Sequence, residues 1–255
     1  MKFTVGYHTD AGLRKKINQD ALLIKTAKSP YGRLGLFVVC DGMGGLSSGE
    51  LASGTVISGM GLWFDEILAH VKFDTVDEVD LYKFICGQIL SLNNKIFEYG
   101  FIENQRLGTT LTLCLFVHNK YYIFQVGDSR AYKITDSVEQ LTEDQTFVQR
   151  EVDRGIITKE EAESHPRRNV LLQCIGAKRE VDPVMITGEV KGNEVFLICS
   201  DGFYRKISNN EILNELRWSE LSDSEEINNK AKNFIELVKS RQEVDNITGL
   251  IIKVH

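Results

Sequence analysis

Five aspartates stand where predicted strands begin or end, and together they could bind hard divalent cations. They are Asp20, Asp41, Asp128, Asp201 and Asp245. If the strands form one sandwich, these side chains can converge at one edge of a rigid scaffold. Five carboxylates brought together would repel one another severely unless cations neutralise them. The pattern therefore indicates a multi-metal carboxylate site.

The kind of metal follows from the ligand types. Oxygen ligands with few imidazoles favour Mg²⁺ or Mn²⁺ over zinc. The histidines are isolated in the sequence and form no ligand pair: His8, His70, His118, His165 and His255. The sequence thus favours a magnesium or manganese site.

Each candidate also has a purely structural interpretation. The apolar run that ends in Cys40-Asp41-Gly42 recurs at Cys199-Ser200-Asp201-Gly202, and strand-Asp-Gly is also a common turn. Asp128 follows Gly127 in a tight turn. The basic residues 14–16 before Asp20 form either a solvated turn or an anion site beside a carboxylate. The spacing of these residues in the sequence does not decide between a structural turn and a functional site.

The elements that must position the aspartates follow from hydrophobic periodicity. Strands are predicted near residues 2–8, 21–24, 37–40, 111–117, 120–126, 129–135, 184–188, 194–199 and 250–254. The short connections 118–119 and 127–128 predict two successive antiparallel hairpins. Two helices, the first capped by Ser47 or Ser48, carry apolar stripes at helical spacing. The stripes comprise Ala52, Val56, Met60, Trp63 and Ile67, then Leu81, Ile85, Ile89, Leu92 and Ile96. Further helices are predicted near 209–217 and 224–241.

Residues 141–176 differ in character from the rest of the chain. Residues 144–164 are charged and helix-prone with few apolar contacts, and His165-Pro166 breaks the pattern. This composition predicts a small, mobile insertion over the core, of the kind that forms a lid.

Composition narrows the class of protein. The chain has 255 residues, 30 basic and 36 acidic side chains, and a net charge of −6. No dense Lys/Arg run is present, which argues against a nucleic-acid partner. No segment approaches the ~20 apolar residues that span a bilayer, and residues 1–6 lack a signal-peptide core. An odd, scattered set of cysteines fits a reducing compartment: Cys40, Cys86, Cys114, Cys174 and Cys199. We expect a cytoplasmic protein with no membrane contact, and a monomer.

Several motifs, in order along nearly the whole chain, resemble the metal-dependent protein phosphatase 2C (PPM) family, most closely its compact bacterial branch. The motifs are Asn18-Gln19-Asp20, Asp41-Gly42-Met43-Gly44-Gly45 with Gly49-Glu50 and Ala52-Ser53, Gly108-Thr109-Thr110, Val126-Gly127-Asp128-Ser129-Arg130, Leu141-Thr142-Glu143-Asp144, Cys199-Ser200-Asp201-Gly202 and Asp245-Asn246-Ile247-Thr248. Any one of them is weak evidence, but all of them in register make coincidence implausible.

The resemblance implies an α+β fold: a four-layer α-β-β-α sandwich of two packed antiparallel sheets flanked by antiparallel helix pairs. It implies a single catalytic domain over residues 1–255, with a flap near 145–175. The implied catalytic residues are Asp20, Asp41, Asp201 and Asp245. The implied metal ligands are these four, the backbone carbonyl of Gly42, and Asp128, which with Asp201 would hold a third ion.

The implied activity is hydrolysis of phosphoserine and phosphothreonine in proteins, opposing a Ser/Thr kinase. Two cations ~3.5–4 Å apart can share a water and lower its pKa enough to supply hydroxide near neutral pH. That hydroxide would attack phosphorus in line without a phospho-enzyme, so no nucleophilic cysteine or serine is required.

Some residues depart from the family pattern. Lys15 stands where the family has a phosphate-binding Arg, with Arg14 beside it; Lys keeps the charge but loses the two-pronged grip on phosphate. Met43 stands where animal members carry His, so no general acid is assigned. Gln145 stands where relatives usually have His.

Two other functions are compatible with the fold. One is a pseudophosphatase that binds phosphoproteins without turnover, which the complete set of aspartates argues against. The other is a phosphatase of anti-sigma-factor antagonists, but such proteins usually carry sensor domains.

Overall fold

Two antiparallel sheets lie at the centre of the molecule. The computed structural model describes residues 1–29, 32–44, 48–73 and 76–255. The strands are β1 (Phe3–Asp10), β2 (Asp20–Ser29), β3 (Gly32–Gly44), β4 (Leu107–Thr109), β5 (Leu111–Val117), β6 (Lys120–Val126), β7 (Arg130–Ile134), β8 (Val138–Gln140), β9 (Val184–Glu189), β10 (Glu194–Cys199) and β11 (Ile247–Val254). One sheet has the order β1-β11-β10-β7-β8; the other has the order β2-β3-β5-β6-β9, with β4 paired to β3.

Helices cover the outer face of each sheet. They are α1 (Ser48–Glu66), α2 (Glu78–Ile102), α3 (Phe147–Asp153), α4 (Lys159–Ser164), α5 (Asp201–Tyr204), α6 (Asn209–Glu215) and α7 (Ser224–Ser240), with 3₁₀ turns at Leu68–His70 and Trp218–Glu220. Helices α1 and α2 pack on the sheet that contains β3 and β5. Helices α5, α6 and α7 pack on the sheet that contains β10 and β11. None of the helices in these ranges is long and apolar enough to cross a bilayer.

Alternation along the strands explains the layers. In β3, Val38 packs toward α1 and α2, whereas its neighbour Phe37 points between the sheets. In β10, Leu197 packs toward the second helical layer and Phe196 points between the sheets. Rings from the two sheets meet there, with the centroids of Phe116 and Phe196 4.9 Å apart. The predicted four-layer α-β-β-α sandwich is confirmed.

One predicted hairpin is wrong. The β5–β6 hairpin forms as expected, but β6 and β7 lie in different sheets: β6 pairs with β5 and β9, and β7 pairs with β10 and β8. The turn at Gly127 and Asp128 therefore crosses from one sheet to the other. Gly127 has φ +104°, a conformation that glycine adopts at little cost.

The helix stripes were predicted well, apart from one residue. All the stripe residues of α2 are buried, as are Ala52, Val56, Met60 and Trp63 of α1. Ile67 is wrong: it follows the end of α1 and is 45% exposed. The alternative cap Ser47, like Gly45, lies outside the described residues, and α1 begins at Ser48. The strands β4 and β8 and the short helix α5 were not predicted.

Candidate metal centre

All five predicted aspartates lie at one edge of the sandwich. Asp20 opens β2 and is paired directly with Asp41 of β3. Asp201 opens α5 immediately after β10, Asp245 precedes β11, and Asp128 lies in the turn that crosses between the sheets. The sequence predicted each position near a strand end, and the two-sheet arrangement brings these ends together.

Hydrogen bonds to Asp20 join the two sheets at this edge. The Ser200 hydroxyl donates to Asp20 Oδ2 at 2.8 Å, and the Thr248 hydroxyl donates to the same oxygen at 2.7 Å. Asn246 adds a further link because its side-chain oxygen accepts the Gln19 N–H at 3.0 Å. Asp20 is therefore oriented by residues next to Asp201 and Asp245.

Close backbone packing positions Asp41 and Gly42. The Asp41 N–H donates to the Thr110 hydroxyl at 2.8 Å, and its carbonyl accepts the Thr110 N–H at 2.9 Å. A Cβ on Gly42 would lie 2.3 Å from the Gly49 carbonyl oxygen and 2.4 Å from that of Gln19. Only glycine fits there, so β3 and the start of α1 approach closely beside Asp41.

A buried aromatic network supports Asp128. The Tyr204 hydroxyl donates to the Asp128 carbonyl at 3.2 Å. The Arg130 guanidinium lies 3.6 Å from the centre of the Tyr204 ring and forms two 2.8 Å bonds with the Asp144 carboxylate. The bidentate pair and the stacked ring fix the start of β7 next to the Asp128 turn.

Two cationic side chains contact the carboxylates. A guanidinium nitrogen of Arg205 lies 2.5 Å from Asp201 Oδ2, and Lys15 Nζ lies 3.0 Å from Asp245 Oδ1. Of the two predicted phosphate-binding residues, Lys15 thus contacts the cluster, and both Lys15 and Arg14 are exposed. Arg205 was not predicted from the sequence, although an acidic and a basic residue four apart on a helix are a recognised pairing signal.

Burial and mutual repulsion raise the pKa values of four of these carboxyl groups, those of Asp20, Asp41, Asp128 and Asp201. Burial raises the pKa of Asp20 to about 7, of Asp128 to about 8 and of Asp201 to about 6. Burial also raises the pKa of Asp41 well above its usual value, and the charges of the other four aspartates add to the rise. The five groups form one electrostatic cluster that favours bound protons or cations.

The donor set fits divalent cations. Among the described residues, Asp20 Oδ1 and Asp201 Oδ1 are buried side-chain oxygens that lack a hydrogen-bond partner. A buried carboxylate oxygen without a donor is costly unless it faces a cation. Within residues 1–29, 32–44, 48–73 and 76–255, no group of three or more His, Cys, Asp and Glu side chains is already arranged to hold a metal ion. Donors from Ser200, Thr248, Arg205 and Lys15 engage one oxygen each of Asp20, Asp201 and Asp245.

Residues 145–175 begin and end beside the aspartates. Gln145 Oε1 accepts the Gly127 N–H at 2.7 Å and the Gln173 Nε2–H at 2.9 Å. At the far end, Thr109 and Ile175 exchange two backbone hydrogen bonds of 3.0 and 2.9 Å. The segment contains α3 and α4, and the Arg167 guanidinium lies over the Phe147 ring at 3.6 Å. Both of its ends are hydrogen-bonded close to predicted metal ligands.

A cavity of about 660 Å³ opens beside the carboxylates. Its lining includes Met43, Phe97, Phe101, Leu107 and Cys174. Met43 follows Asp41 and Gly42 along β3, so the cavity lies next to the end of the strand that carries Asp41. All five cysteines are buried and free.

Comparison with known proteins identifies the family. A model of the family described as protein phosphatase 2C matches residues 9–239. The chain therefore belongs to the protein phosphatase 2C family, as its motifs predicted.

Individual relatives are bacterial serine/threonine phosphatases. The chain is 33% identical over 249 residues to the serine/threonine protein phosphatase PstP of Mycobacterium tuberculosis, covering 96% of this chain but 44% of PstP, less than half its length. It is 30% identical over 250 residues to the protein phosphatase PhpP of Streptococcus pneumoniae, covering 97% of this chain and 96% of PhpP.

Solved structures share the fold over the whole chain. The S. agalactiae serine/threonine phosphatase superposes with a TM-score of 0.86 at 27% identity, covering 100% of both chains. The catalytic domain of PstP, solved in complex with two manganese ions, superposes with a TM-score of 0.79 at 29% identity, covering 99% of both chains.

Proposed function

We propose that this protein is a metal-dependent phosphatase that hydrolyses phosphoserine and phosphothreonine in proteins. The observation that carries the proposal is the convergence of five aspartates at one edge of the sandwich, two of them with buried oxygens that lack hydrogen-bond donors. Membership of the protein phosphatase 2C family gives this cluster its chemistry. The comparisons favour a phosphatase over a non-catalytic phosphoprotein-binding module.

Asp20, Asp41, the Gly42 carbonyl, Asp201 and Asp245 would hold two divalent cations, Mn²⁺ or Mg²⁺. When bound, such cations activate water near neutral pH and neutralise charge on phosphoryl oxygens. The chain's own residues prepare the site. Ser200 and Thr248 fix the Asp20 carboxylate, and the Thr109 hydroxyl and the Thr110 backbone N–H both donate to the Asp41 carbonyl.

Lys15 is the proposed phosphate-binding residue. Its ammonium group lies 3.0 Å from Asp245 Oδ1, at the mouth of the cluster and close enough to stabilise negative charge on a phosphoryl group. Arg14 lies in the same exposed turn and can assist from solvent. The two-pronged contact of a single arginine is replaced here by two neighbouring cations.

The cavity beside Met43 offers a place for substrate residues that flank the phosphorylated position. Its wall continues into the carboxylate cluster through β3 and β4, and Phe97, Phe101 and Leu107 make it apolar. Arg106 also lines it and suits a substrate segment that carries negative charge. We propose that an apolar side chain of the phosphoprotein packs here.

We propose that residues 1–255 form one catalytic domain and that residues 145–175 act as its flap. A third divalent ion between Asp128 and Asp201 belongs to the same proposal. A cognate Ser/Thr kinase is the expected opposing partner. Five buried, unpaired thiols support a reducing location such as the cytoplasm.

The test is phosphate release from a phosphothreonine peptide by metal-stripped protein to which Mn²⁺, Mg²⁺, Zn²⁺ or Ca²⁺ is added back. Activity restored by Mn²⁺ or Mg²⁺, and resistant to thiol-blocking reagents, is the expected result. A folded protein that binds Mn²⁺ but releases no phosphate with any metal would instead support the binding module.

A further inference from the structure

Arg205 is held tightly against one of the predicted metal ligands. It directly follows α5, its N–H donates to the Asp201 carbonyl at 3.1 Å, and its guanidinium lies 2.5 Å from Asp201 Oδ2. The Arg205 side chain is 21% exposed and that of Asp201 is 11% exposed. A charge-assisted hydrogen bond in so enclosed a place is stronger than a surface ion pair.

The same short helix contacts Asp128. Tyr204, the neighbour of Arg205, donates its hydroxyl to the Asp128 carbonyl at 3.2 Å. Arg130 is already paired with Asp144 through two hydrogen bonds. Arg205 is therefore bonded to one carboxylate that would hold a third ion and follows directly after the residue that contacts the other.

We propose that the Arg205 guanidinium is a resident cation between Asp201 and Asp128, and that a third divalent ion binds there only by displacing it. The inference rests on the proposed function, since it takes these carboxylates to face divalent ions. In this chain, two divalent ions would then bind tightly at the carboxylate cluster and a third would bind weakly.

The different surroundings of the two Asp201 oxygens explain why Arg205 would not block the first two metal sites. Oδ2 is engaged by Arg205, whereas Oδ1 is buried and lacks a donor, so it stays available to the ions shared with Asp20 and Asp41. A divalent ion next to Asp128 would face the positive charge of Arg205 across a poorly solvated gap. Either that repulsion persists or the Arg205–Asp201 bond breaks. Each of these outcomes lowers the affinity for the third ion about tenfold or more.

The test is calorimetric titration of metal-stripped protein with Mn²⁺, with bound ions counted after equilibrium dialysis. The wild type is expected to bind two ions tightly and a third at least about tenfold more weakly. Arg205→Gln is expected to bind the third ion about tenfold more tightly. Adding Asp128→Asn to Arg205→Gln is expected to remove that gain. Arg241→Gln is the matched control, because Arg241 forms an ion pair with Glu211 on the surface.

Arg205→Lys separates charge from packing and guards against a folding defect in Arg205→Gln. This variant keeps a positive charge, so its binding of the third ion is expected to stay weak. Three equally tight ions in the wild type, no gain in Arg205→Gln, or an equal gain in Arg205→Lys would each overturn the inference while leaving a two-ion phosphatase intact. No Mn²⁺ bound by any of these variants would overturn the proposed function as well.

Discussion

At the scale of single residues, the two oxygens of Asp20 have different surroundings. Oδ2 accepts two hydroxyl hydrogen bonds, from Ser200 and Thr248, and these set the direction of the carboxylate. Oδ1 is buried and has no donor. A carboxylate held in this way is oriented toward a cation before the cation arrives, which reduces the ordering cost of binding.

Asp41→Asn and Asp201→Asn are expected to abolish phosphate release while leaving the fold intact. Each change removes a negative charge from the proposed two-ion centre, and it also relieves repulsion within the cluster. Phosphate release and thermal unfolding measure the two effects. Asp65→Asn is the control, because Asp65 pairs with Lys25 on the surface. Near-normal turnover in either cluster variant would remove the two-ion proposal.

Thr248→Val is expected to weaken Mn²⁺ binding by roughly 10- to 100-fold, the usual effect of losing a hydrogen bond to a metal ligand. The change removes one of the two donors that orient Asp20 and nearly preserves the side-chain shape. Titration with Mn²⁺ gives the affinity. Thr4→Val, which removes a surface hydrogen bond to His255, serves as the control, and equal affinities in the two variants would contradict the assigned role.

At the scale of elements, the turn at Gly127 and Asp128 decides where Asp128 lies. The sequence predicted β6 and β7 correctly as strands but joined them as a hairpin. A two-residue connection fits either a hairpin or a crossing between sheets, and only the pairing of β7 with β10 decides between them. That pairing links residues distant in the chain, and local periodicity therefore cannot predict it.

The long apolar strands and helices could be predicted, because alternation and helical spacing are local signals. Strands β4 and β8 have only three residues each, too few to show a period. The aspartates stood out by residue type and by position at strand ends. The contact between Gln145 and Gln173 was not predicted, because two glutamines 28 residues apart show no pattern until the fold brings them together.

Gln145→Ala is expected to loosen the start of the flap. The change leaves the buried Gly127 N–H without its side-chain acceptor, at a cost of about 1–3 kcal/mol in the free energy of unfolding. We expect faster proteolysis within residues 145–175, and a larger loss of activity on a phosphoprotein than on an aryl phosphate. Denaturant unfolding and limited proteolysis test this.

Gln149→Ala is the matched control for this variant, since the Gln149 amide bonds Asp153 on the exposed side of α3. Equal stability and equal cleavage rates in the two variants would show that Gln145 does not anchor the flap.

At the scale of the whole molecule, the carboxylate cluster links folding stability to pH. In an unfolded chain these carboxyl groups ionise near pH 4, whereas in the fold Asp20, Asp128 and Asp201 hold their protons up to about pH 7, 8 and 6. Between these limits the folded state binds more protons than the unfolded state. Stability of metal-stripped protein must therefore fall as pH rises.

The expected result is a lower free energy of unfolding at pH 8 than at pH 5, with each unit of pKa difference contributing up to about 1.4 kcal/mol. Urea unfolding of metal-stripped protein across this range is the measurement. Excess Mn²⁺ should reduce or reverse the slope, because it binds the ionised carboxylates. Stability that rises from pH 5 to pH 8 without metal would contradict the electrostatic description.

The position of β11 also governs how the protein folds. This strand lies between β1 and β10, and its register pairs Phe3 with Val254. Pairings between residues so far apart in sequence make folding slow. Until β11 inserts, β1 and β10 present unpaired edges on which other chains can add strands and aggregate. Thr248, which bonds Asp20, belongs to the same strand, so a refolding chain would complete the proposed cation site only when this sheet closes.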